Sequence, residues 1–350
     1  MSVLKRNAFV IAILVVLLIV VPVFFYNRFV ATPTLPDTID APSAIEQAVI
    51  IIPLAGPVAK TEAEISGMAW YGDYLILLPQ YPNRFGSSDG AFFAIAKSDL
   101  VAFIDGKSKE PIKPREIPLK APGLAQRIAG FEGYEAIGFV RDQVFLTIES
   151  KPGAMLGNIV KGKIAPDLST IEIDSATLLT IPPQAGITNL SDETIVVAGN
   201  KILTMYEANG ANVNAKPVAH VFDLKPVSLG TIPSPNIEYR ITDATPTDST
   251  NRFWAINYFY PGDSKLKPIM DPLTLRYGKG KTHAQFPQVE RLVEFQISDA
   301  ALTLADTPPI QFRLPDNNAR NWEALARLDN RGFMIATDSF PQTILGFVPR

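Results

Sequence analysis

One apolar run near the start of the chain differs from everything that follows it. Residues 8–25, from Ala8 to Phe25, contain no charged or hydrogen-bonding side chain. As a helix rising about 1.5 Å per residue, this run spans roughly 27 Å, close to the hydrocarbon thickness of a bilayer. Lys5 and Arg6 precede the run and Arg28 follows it, so the basic bias places the N-terminus in the cytoplasm. We therefore predict a single-pass cell-membrane protein, with residues 1–28 as a cytoplasmic stub and transmembrane anchor and the rest periplasmic or extracellular.

A cleaved signal peptide is the alternative interpretation of this run. Its apolar core would have about 7–15 residues and would be followed by small residues at the cleavage site. Here the apolar core is longer, and Phe29-Val30-Ala31 places a large ring where a small residue is expected. The pattern favours an uncleaved anchor, and either outcome leaves the following domain outside the cytoplasm.

Beyond the anchor, the pattern changes to short apolar runs separated by turn residues. Residues 29–46 contain three prolines and little apolar periodicity, which predicts a tether. From residue 47 to residue 350, most apolar runs are short, rich in Val, Ile, Phe and Tyr, and bounded by Gly, Pro, Asn or Asp. Residues 98–104 predict one short helix, and the rest predicts an all-β domain. The predicted strands are residues 48–52, 74–78, 91–96, 144–148, 194–198, 253–257, 292–297, 333–337 and 344–348.

A recurring unit organises these strands. Each copy has an apolar step, a turn and a strand that ends in a polar group; the copies are residues 66–80, 134–150, 186–200, 242–258 and 322–339. A two-stranded unit cannot bury both faces alone, so the copies must stack or close into a ring. We predict a β-propeller of six blades, the sixth built from residues 289–304 and completed by the strand at 48–52. A β-sandwich is the structural alternative.

Composition excludes several kinds of chemistry. Residues 1–28 hold three basic residues and no acid, so the remainder has 29 basic residues against 35 acidic ones, which argues against nucleic acid as a partner. The chain has no cysteine and only two histidines, His220 and His283. A three-histidine zinc site is therefore impossible, and no G-x-S-x-G motif accompanies either histidine. The patterns around them predict a packing role for His220 and a solvated loop for His283.

Acidic side chains recur at matching places in the copies. Glu135, Asp243 and Glu323 stand at the start of the first strand of three copies, and the innermost strands of a propeller line its channel. Glu149 and Asp338 stand at the ends of the following strands, and we expect them toward the opposite mouth. Gln80 and Asn257 occupy the corresponding places in two other copies.

Oxygen ligands from several blades suit Ca²⁺, which takes six to eight of them. A bound cation would polarise a phosphoryl or acyl oxygen, and a spare carboxylate would act as general base. We predict Glu135 and Glu323 as catalytic residues. The predicted metal ligands are Glu135, Asp243, Glu323, Glu149 and Asp338. The alternative is structural, because a carboxylate beside a tight turn often accepts backbone N–H bonds and closes the hairpin.

Two segments carry a resemblance to a known family. NWEALARLDNRGFMIATDSFPQTILGFVP and FEGYEAIGFVRDQVFLTIES, with the SGMAW segment, resemble the "esterase-like activity of phytase" family. They are more loosely similar to the six-bladed senescence-marker-protein and strictosidine-synthase-like groups. The resemblance implies an extracytoplasmic propeller whose acids hold calcium at one channel mouth and help to cleave a phosphate or another ester. Two copies depart from the pattern. The first copy has Ser66-Gly67 where an acid is expected. The third copy has Gly186-Ile187 there and offers only Thr188 and Asn189 as polar side chains.

Two functions follow from these observations. The first is a calcium-assisted hydrolase of phosphate or other esters, for whose anionic substrate Arg84, Arg141, Arg240 and Arg327 are candidate partners. The second is a non-catalytic propeller that binds a peptide, a glycan or a protein partner at the membrane surface. The incomplete set of acids leaves both open.

Overall fold

The computed structural model describes residues 44–86 and 89–350. The predicted anchor at residues 8–25 and most of the predicted tether lie outside the described residues. Within the described ranges, no helix has both the length and the apolar character needed to cross a bilayer.

Blades of four strands, and one of six, follow one another along the chain. Two short strands come first, β1 (Glu46–Gln47) and β2 (Ile50–Ile52), and both join sheets formed by later residues. The first blade contains β3 (Ile65–Tyr71), β4 (Tyr74–Pro79), β5 (Ala91–Ala96) and β6 (Arg115–Lys120). The second contains β7 (Phe131–Val140), β8 (Gln143–Ser150), β9 (Leu156–Ile164) and β10 (Ile171–Ile181). The third contains β11 (Asp192–Ala198), β12 (Lys201–Tyr206), β13 (Val218–Asp223) and β14 (Ser228–Pro233).

The last two blades recruit the N-terminal strands. The fourth contains β15 (Arg240–Ala244), β16 (Arg252–Phe259), β17 (Val289–Ile297), β18 (Leu302–Leu304) and β19 (Ile310–Phe312), with β1 parallel to β19. The fifth contains β20 (Trp322–Leu328), β21 (Gly332–Thr337) and β22 (Leu345–Pro349), with β2 antiparallel to β22. The α-helices are α1 (Lys97–Ile104), α2 (Leu124–Arg127) and α3 (Pro272–Tyr277). Short 3-10 helices lie at Pro57–Ala59, Thr61–Ala63, Pro82–Arg84 and Ser264–Leu266.

The first strands of the five blades form a closed ring. β3 contacts β7, β7 contacts β11, β11 contacts β15, β15 contacts β20, and β20 contacts β3 again. The described residues therefore form a five-bladed β-propeller, which confirms the propeller prediction and excludes the sandwich. The prediction of six blades was wrong, because β17 pairs along its whole length with β16 and is the third strand of the fourth blade. The strand at residues 50–52 instead completes the fifth blade.

The core lies between neighbouring blades. Alternate side chains of one strand face opposite neighbours: Leu75 and Leu77 of β4 pack toward the fifth blade, whereas Ile76 of β4 packs toward the second. Such strands are buried on both faces, which is why they appear as continuous apolar runs in the sequence. Every predicted strand region contains a strand, and the predicted helix at 98–104 lies within α1.

Candidate functional site

Each innermost strand carries a β-bulge near its start. The pairing register between the first and second strands shifts at the same place in all five blades. A bulge inserts one extra residue and re-aims its side chain, and bulges are frequent beside active sites. The residues at the bulges are Ser66, Glu135, Glu193, Asp243 and Glu323.

A second set of polar side chains lies opposite these bulges. On each second strand, one residue comes directly after the partner of the last first-strand residue before the bulge. These residues are Gln80, Glu149, Glu207, Tyr258 and Asp338. Because the two strands of a hairpin are antiparallel, the start of one lies beside the end of the other. The expectation that Glu149 and Asp338 point to the opposite mouth from Glu135 and Glu323 was therefore wrong, since all four line one cavity.

We refer to this cavity, at one mouth of the channel, as the acidic cavity. Its volume is about 470 Å³. Six carboxylic acids line it, and we call them the cavity acids. The single cationic side chain in its lining is Arg240. The cavity acids are Glu132, Glu135, Glu149, Glu193, Glu323 and Asp338. The other lining residues are Gln80, Tyr81, Asn189, Arg240, Tyr258, Tyr260, Asn321 and Phe340.

Amide side chains hold two of the cavity acids in place. Gln80 Nε2 donates to Glu135 Oε1 at 3.1 Å. Asn321 Nδ2 donates to Glu323 Oε1 and, at 3.3 Å, to Asp338 Oδ2. Glu149 Oε1 and Asp338 Oδ1 have no hydrogen-bond partner among the described residues. These two oxygens are available to a ligand in the cavity.

Arg240 is fixed in the wall of the cavity by two carboxylates. Its Nη1 lies 2.6 Å from Glu207 Oε1, and its Nε lies 2.8 Å from Asp263 Oδ2. Of the four arginines considered from the sequence, Arg240 alone lines the acidic cavity. Because two of its three guanidinium nitrogens already bind carboxylates, Arg240 offers only part of its charge to an anionic ligand.

Burial and nearby negative charge raise the pKa values of carboxyl groups that line the acidic cavity. Burial, followed by the charge of Glu149, raises the pKa of Glu135 well above its usual value. Burial, followed by the charge of Asp338, does the same for the pKa of Glu323. For Glu149, burial and the charge of Glu207 raise the pKa to about 7. The Ser191 hydroxyl lies near enough to oppose part of that shift without forming a hydrogen bond of normal geometry. Burial and neighbouring negative charge therefore favour the protonated forms of these three carboxyl groups.

Asp243 does not belong with the other predicted site residues. It is buried, and its carboxyl oxygens accept from the backbone N–H groups of Leu325, at 2.7 Å, and Ala244, at 2.8 Å. Asp243 thereby links the inner strands of the fourth and fifth blades. The structural alternative for an acid beside a turn is the correct interpretation at this position.

In the fourth blade, the strand-end residue that lines the cavity is not Asn257, as the sequence pattern predicted, but the residue after it. Asn257 is fully buried and donates to the carbonyl oxygens of Glu238 and Arg240. The next residue, Tyr258, is the one that lines the cavity.

Sequence reasoning missed the acid of the third blade. Glu193 lies at the bulge of β11, and burial followed by the charge of Glu207 raises its pKa well above the usual value. The third copy was placed at residues 186–200, which contains only the first strand of the hairpin and its turn. A better alignment was present in the sequence, because Asp192-Glu193-Thr194-Ile195 matches Tyr134-Glu135-Ala136-Ile137. With Glu193 included, only the first blade lacks an acid at its bulge.

The two histidines lie outside the acidic cavity. His283 is buried, not solvated as predicted; its Nδ1 lies 2.9 Å from Glu46 Oε1, and its Nε2 accepts from the Glu290 N–H. His220 is on β13, and its Nδ1 lies 3.2 Å from Oδ1 of Asp192 on β11. Both contribute to packing within blades.

The predicted calcium ligands fit a metal ion only in part. Four of the five, all except Asp243, line the acidic cavity, and two of their oxygens lack partners. In residues 44–86 and 89–350, however, no group of three or more Asp, Glu or His side chains is arranged as a metal-ligand set. Calcium binding stays a prediction, and it requires the carboxylates to change rotamer.

Comparisons with known proteins do not identify a family. No family model matches the chain, and no curated protein matches it. A glucose dehydrogenase structure is 9% identical with a TM-score of 0.44, covering 84% of this chain and 99% of that one. The catalytic domain of a GH62 α-L-arabinofuranosidase from Coprinopsis cinerea is 8% identical with a TM-score of 0.47, covering 88% and 98%. The soluble aldose sugar dehydrogenase of Escherichia coli is 11% identical with a TM-score of 0.42, covering 86% and 99%. Similarity at these levels does not extend to function, and the propeller assignment rests on the strand topology.

Proposed function

We propose that the domain is a hydrolase that uses the carboxyl groups of the acidic cavity as acid and base on an uncharged ester. The observation that carries this proposal is Glu149: it is only 5% exposed, has a pKa of about 7, and presents one oxygen without a partner. A general base works best when its pKa lies near the working pH. Burial raises the pKa values of the neighbouring Glu135 and Glu323 well above their usual value, which favours their protonated, acid forms.

The proposed reaction divides the proton transfers between these groups. Glu149 removes a proton from a water molecule, whose oxygen attacks the acyl carbon of the ester. As the bond from that carbon to the leaving oxygen breaks, Glu135 or Glu323 donates a proton to the leaving alcohol. The products are a carboxylic acid and an alcohol, and proton exchange with solvent restores both carboxyl groups. Each proton-transfer group typically contributes about 10²–10⁴-fold to the rate.

The charge of the cavity favours an uncharged substrate. Six acids and one arginine line it, and that arginine is already paired with two carboxylates. A phosphate ester, which the phytase-like resemblance implies, would meet net negative charge. Carboxylic esters and lactones avoid this repulsion, and the hydroxyl group of Tyr258 and the amide group of Asn189 can bind their oxygens.

Calcium would change this preference. We propose Glu149 and Asp338, whose oxygens lack partners, as the first ligands of a divalent cation, with Glu135 and Glu323 as further donors. A cation held there would supply the positive charge that a phosphoryl group needs. If this is correct, added Ca²⁺ raises the melting temperature of the wild-type protein, and the increase is lost in Glu149→Gln/Asp338→Asn. An unchanged wild-type melting temperature in millimolar Ca²⁺ would rule this part out.

A non-catalytic binding role is the second candidate function. Tyr260 and Phe340 line the cavity and are about half exposed, at 48% and 51%. Aromatic rings above a polar cavity suit a glycan or an extended peptide. Ligand binding without turnover on any ester would favour this candidate.

We also propose that the domain acts outside the cytoplasm, held to the membrane by the anchor at residues 8–25. The run's length and the flanking cations support this proposal. Addition of a protease to intact cells or spheroplasts tests it. Degradation of the domain only after the membrane is permeabilised would contradict it.

The hydrolase proposal is tested with a substrate panel. The full-length protein is assayed with 4-nitrophenyl acetate, 4-nitrophenyl butyrate, a γ-lactone and 4-nitrophenyl phosphate, each with and without Ca²⁺. Turnover of the uncharged esters that is lost in Glu149→Gln supports the proposal. The matched control is Glu294→Gln, a buried acid on β17 that binds Thr307 and lies outside the cavity. Turnover that is equal in the wild type and in Glu149→Gln would exclude the proposed base.

A further inference from the structure

The loop between β16 and β17, which begins at the acidic cavity, exposes large apolar side chains. β16 ends at that face, and Tyr260, in the first part of the loop, lines the cavity. Ile269 is fully exposed, Met270 is 56% exposed and Leu275 is 61% exposed. Exposed apolar residues grouped in this way mark interaction sites more often than residues scattered singly.

The same loop carries a local excess of positive charge. Residues 264–281 contain five basic residues and one acid, in a chain whose net charge is −3. The acid, Asp271, is buried and forms an ion pair with Arg291, so it does not neutralise the surface. The five basic residues, all exposed, are Lys265, Lys267, Arg276, Lys279 and Lys281. Of these, Arg276 pairs with the exposed Asp306. Together, Ile269, Met270, Leu275 and the four lysines form what we call the loop patch.

The loop is fastened to the propeller, so these side chains are not exposed because the segment is loose. Asp271 Oδ2 lies 2.7 Å from Arg291 Nη1 within the fourth blade, and Leu266 is buried beneath the loop. At its far end, Glu46 Oε1 accepts from the Thr282 and His283 N–H groups at 2.9 and 3.0 Å. The apolar side chains are therefore held outward by a fixed backbone.

The chain also joins the domain at this loop. The Ala44 N–H, at the start of the described residues, donates to the Lys279 carbonyl oxygen at 3.2 Å. Ile45, the next residue, is 82% exposed. The segment that precedes Ala44 is the predicted tether, so the chain reaches the domain beside the loop patch.

We propose that the loop patch docks on the surface of a bilayer that contains anionic lipids. Its apolar side chains enter the headgroup region, and its lysines lie against lipid phosphates and carboxylates, as in other interfacial segments. Charge complementarity and the position of the tether favour a lipid surface over a protein partner. Since the loop begins at the acidic cavity, docking brings the cavity close to the membrane surface.

The absence of cysteine allows a direct test. Met270→Cys in the full-length chain is labelled with an environment-sensitive fluorophore and reconstituted into phosphatidylcholine vesicles, with or without one quarter phosphatidylserine. The label should brighten by about two-fold or more in the anionic vesicles, and spin-labelled lipid should quench it, because the side chain enters the interface. Adding Lys265→Glu, Lys267→Glu, Lys279→Glu and Lys281→Glu should abolish the response.

A matched position separates docking from general proximity to the vesicle. Leu229→Cys labels an equally exposed apolar residue on β14, the outer strand of the third blade, and should give no response. Equal signals from Met270→Cys in the two kinds of vesicle, or no quenching by lipid, would overturn the proposal. A response that depends on protein concentration in detergent without lipid would indicate self-association and would overturn it as well.

Discussion

Two groups of buried carboxylates in this propeller differ in the number of donors around them. One group lies in and around the fourth blade: Glu46, Asp271 and Glu290, the paired acids. Glu290 receives the Arg320 Nε–H at 2.9 Å, the Arg320 backbone N–H at 2.9 Å and the Trp322 Nε1–H at 2.7 Å. The cavity acids form the other group, in which Glu149 and Asp338 each keep an oxygen without a partner.

The pKa values of two paired acids shift in the direction opposite to those of three cavity acids. Burial opposes ionisation of Asp271, but the charge and hydrogen bonds of Arg291 hold its pKa below the usual value. Burial likewise opposes ionisation of Glu46, and hydrogen bonds from His283 and Thr282 lower its pKa. In the acidic cavity, burial and neighbouring acids act together and raise the pKa values of Glu135, Glu149 and Asp338. A buried acid with a full set of donors stabilises a fold, whereas one without them is available for chemistry.

The largest expected effect is on turnover. Glu149→Gln removes the proposed base and should lower kcat on uncharged esters by about 10²–10⁴-fold, with no decrease in the melting temperature at neutral pH. Steady-state kinetics on the ester found active in the panel measure this effect. Glu294→Gln, the same change at a buried acid that accepts from Thr307 and pairs with Arg252, should retain wild-type kcat. A comparable loss of kcat in both variants would erase the distinction between the two groups.

The next effect is on stability and concerns the paired acids. Arg320→Met leaves Glu290 buried without its guanidinium, which should cost about 3–5 kcal/mol of the free energy of unfolding. Urea unfolding of the purified protein measures this loss. Glu149→Gln is the comparison, because removing a charge that its neighbours repel should leave stability at pH 7.5 unchanged or higher. A loss below about 1 kcal/mol for Arg320→Met would mean that the ion pair does not stabilise the blade.

Asp243 should behave as a structural residue even though it was predicted as a metal ligand. Asp243→Ala leaves the buried N–H groups of Leu325 and Ala244 without acceptors, at a cost of about 1–3 kcal/mol. Below its melting temperature, the variant should keep the wild-type KM and the wild-type response to Ca²⁺. Loss of the Ca²⁺ response in a folded Asp243→Ala protein would place Asp243 in the site after all.

The smallest effect is the dependence of stability on pH. The pKa of Glu149 rises from 4.5 to about 7 on folding, so the folded protein binds more protons than the unfolded chain between these pH values. Its contribution to stability is complete below about pH 4.5 and is lost as pH rises through 7, a change on the order of 1–3 kcal/mol.

His283 opposes this trend, because burial lowers its pKa below 6.5 and its contribution grows as pH rises toward that value. Because both proteins contain His283, its contribution cancels when the melting temperature of the wild type is subtracted from that of Glu149→Gln. Melting temperatures measured from pH 5 to pH 8 should converge as pH falls and diverge in favour of Glu149→Gln as pH rises. Parallel curves would show that Glu149 is not perturbed.

The apolar patterns in the sequence were sufficient to predict the strands and their closure into a ring. Packing between blades requires runs such as residues 75–78 to be buried on both faces, so these runs are continuously apolar. Blade number was not recoverable in this way, since residues 289–304 form a good strand pattern whichever sheet they join. Only their pairing with β16 assigns them to the fourth blade.

Four of the five predicted site residues line the acidic cavity, because hairpin geometry brings strand starts and strand ends together. The prediction for Asp243 was wrong because sequence position cannot show whether a carboxylate faces the channel or the N–H groups of the next blade. Glu193 was missed because the hairpin of the third blade was placed several residues too early.

The outer strands of the first two blades are joined in a way that the others are not. β6 and β10 pair in parallel over two positions, Leu119 with Ile171 and Lys120 with Glu172, so that eight strands form one sheet. These two blades thus share a hydrogen-bonded seam at the rim as well as at the channel, and they should exchange their amide hydrogens as one cooperative unit. The outer strand of the third blade, β14, is paired on one side only, so the domain is expected to open there first.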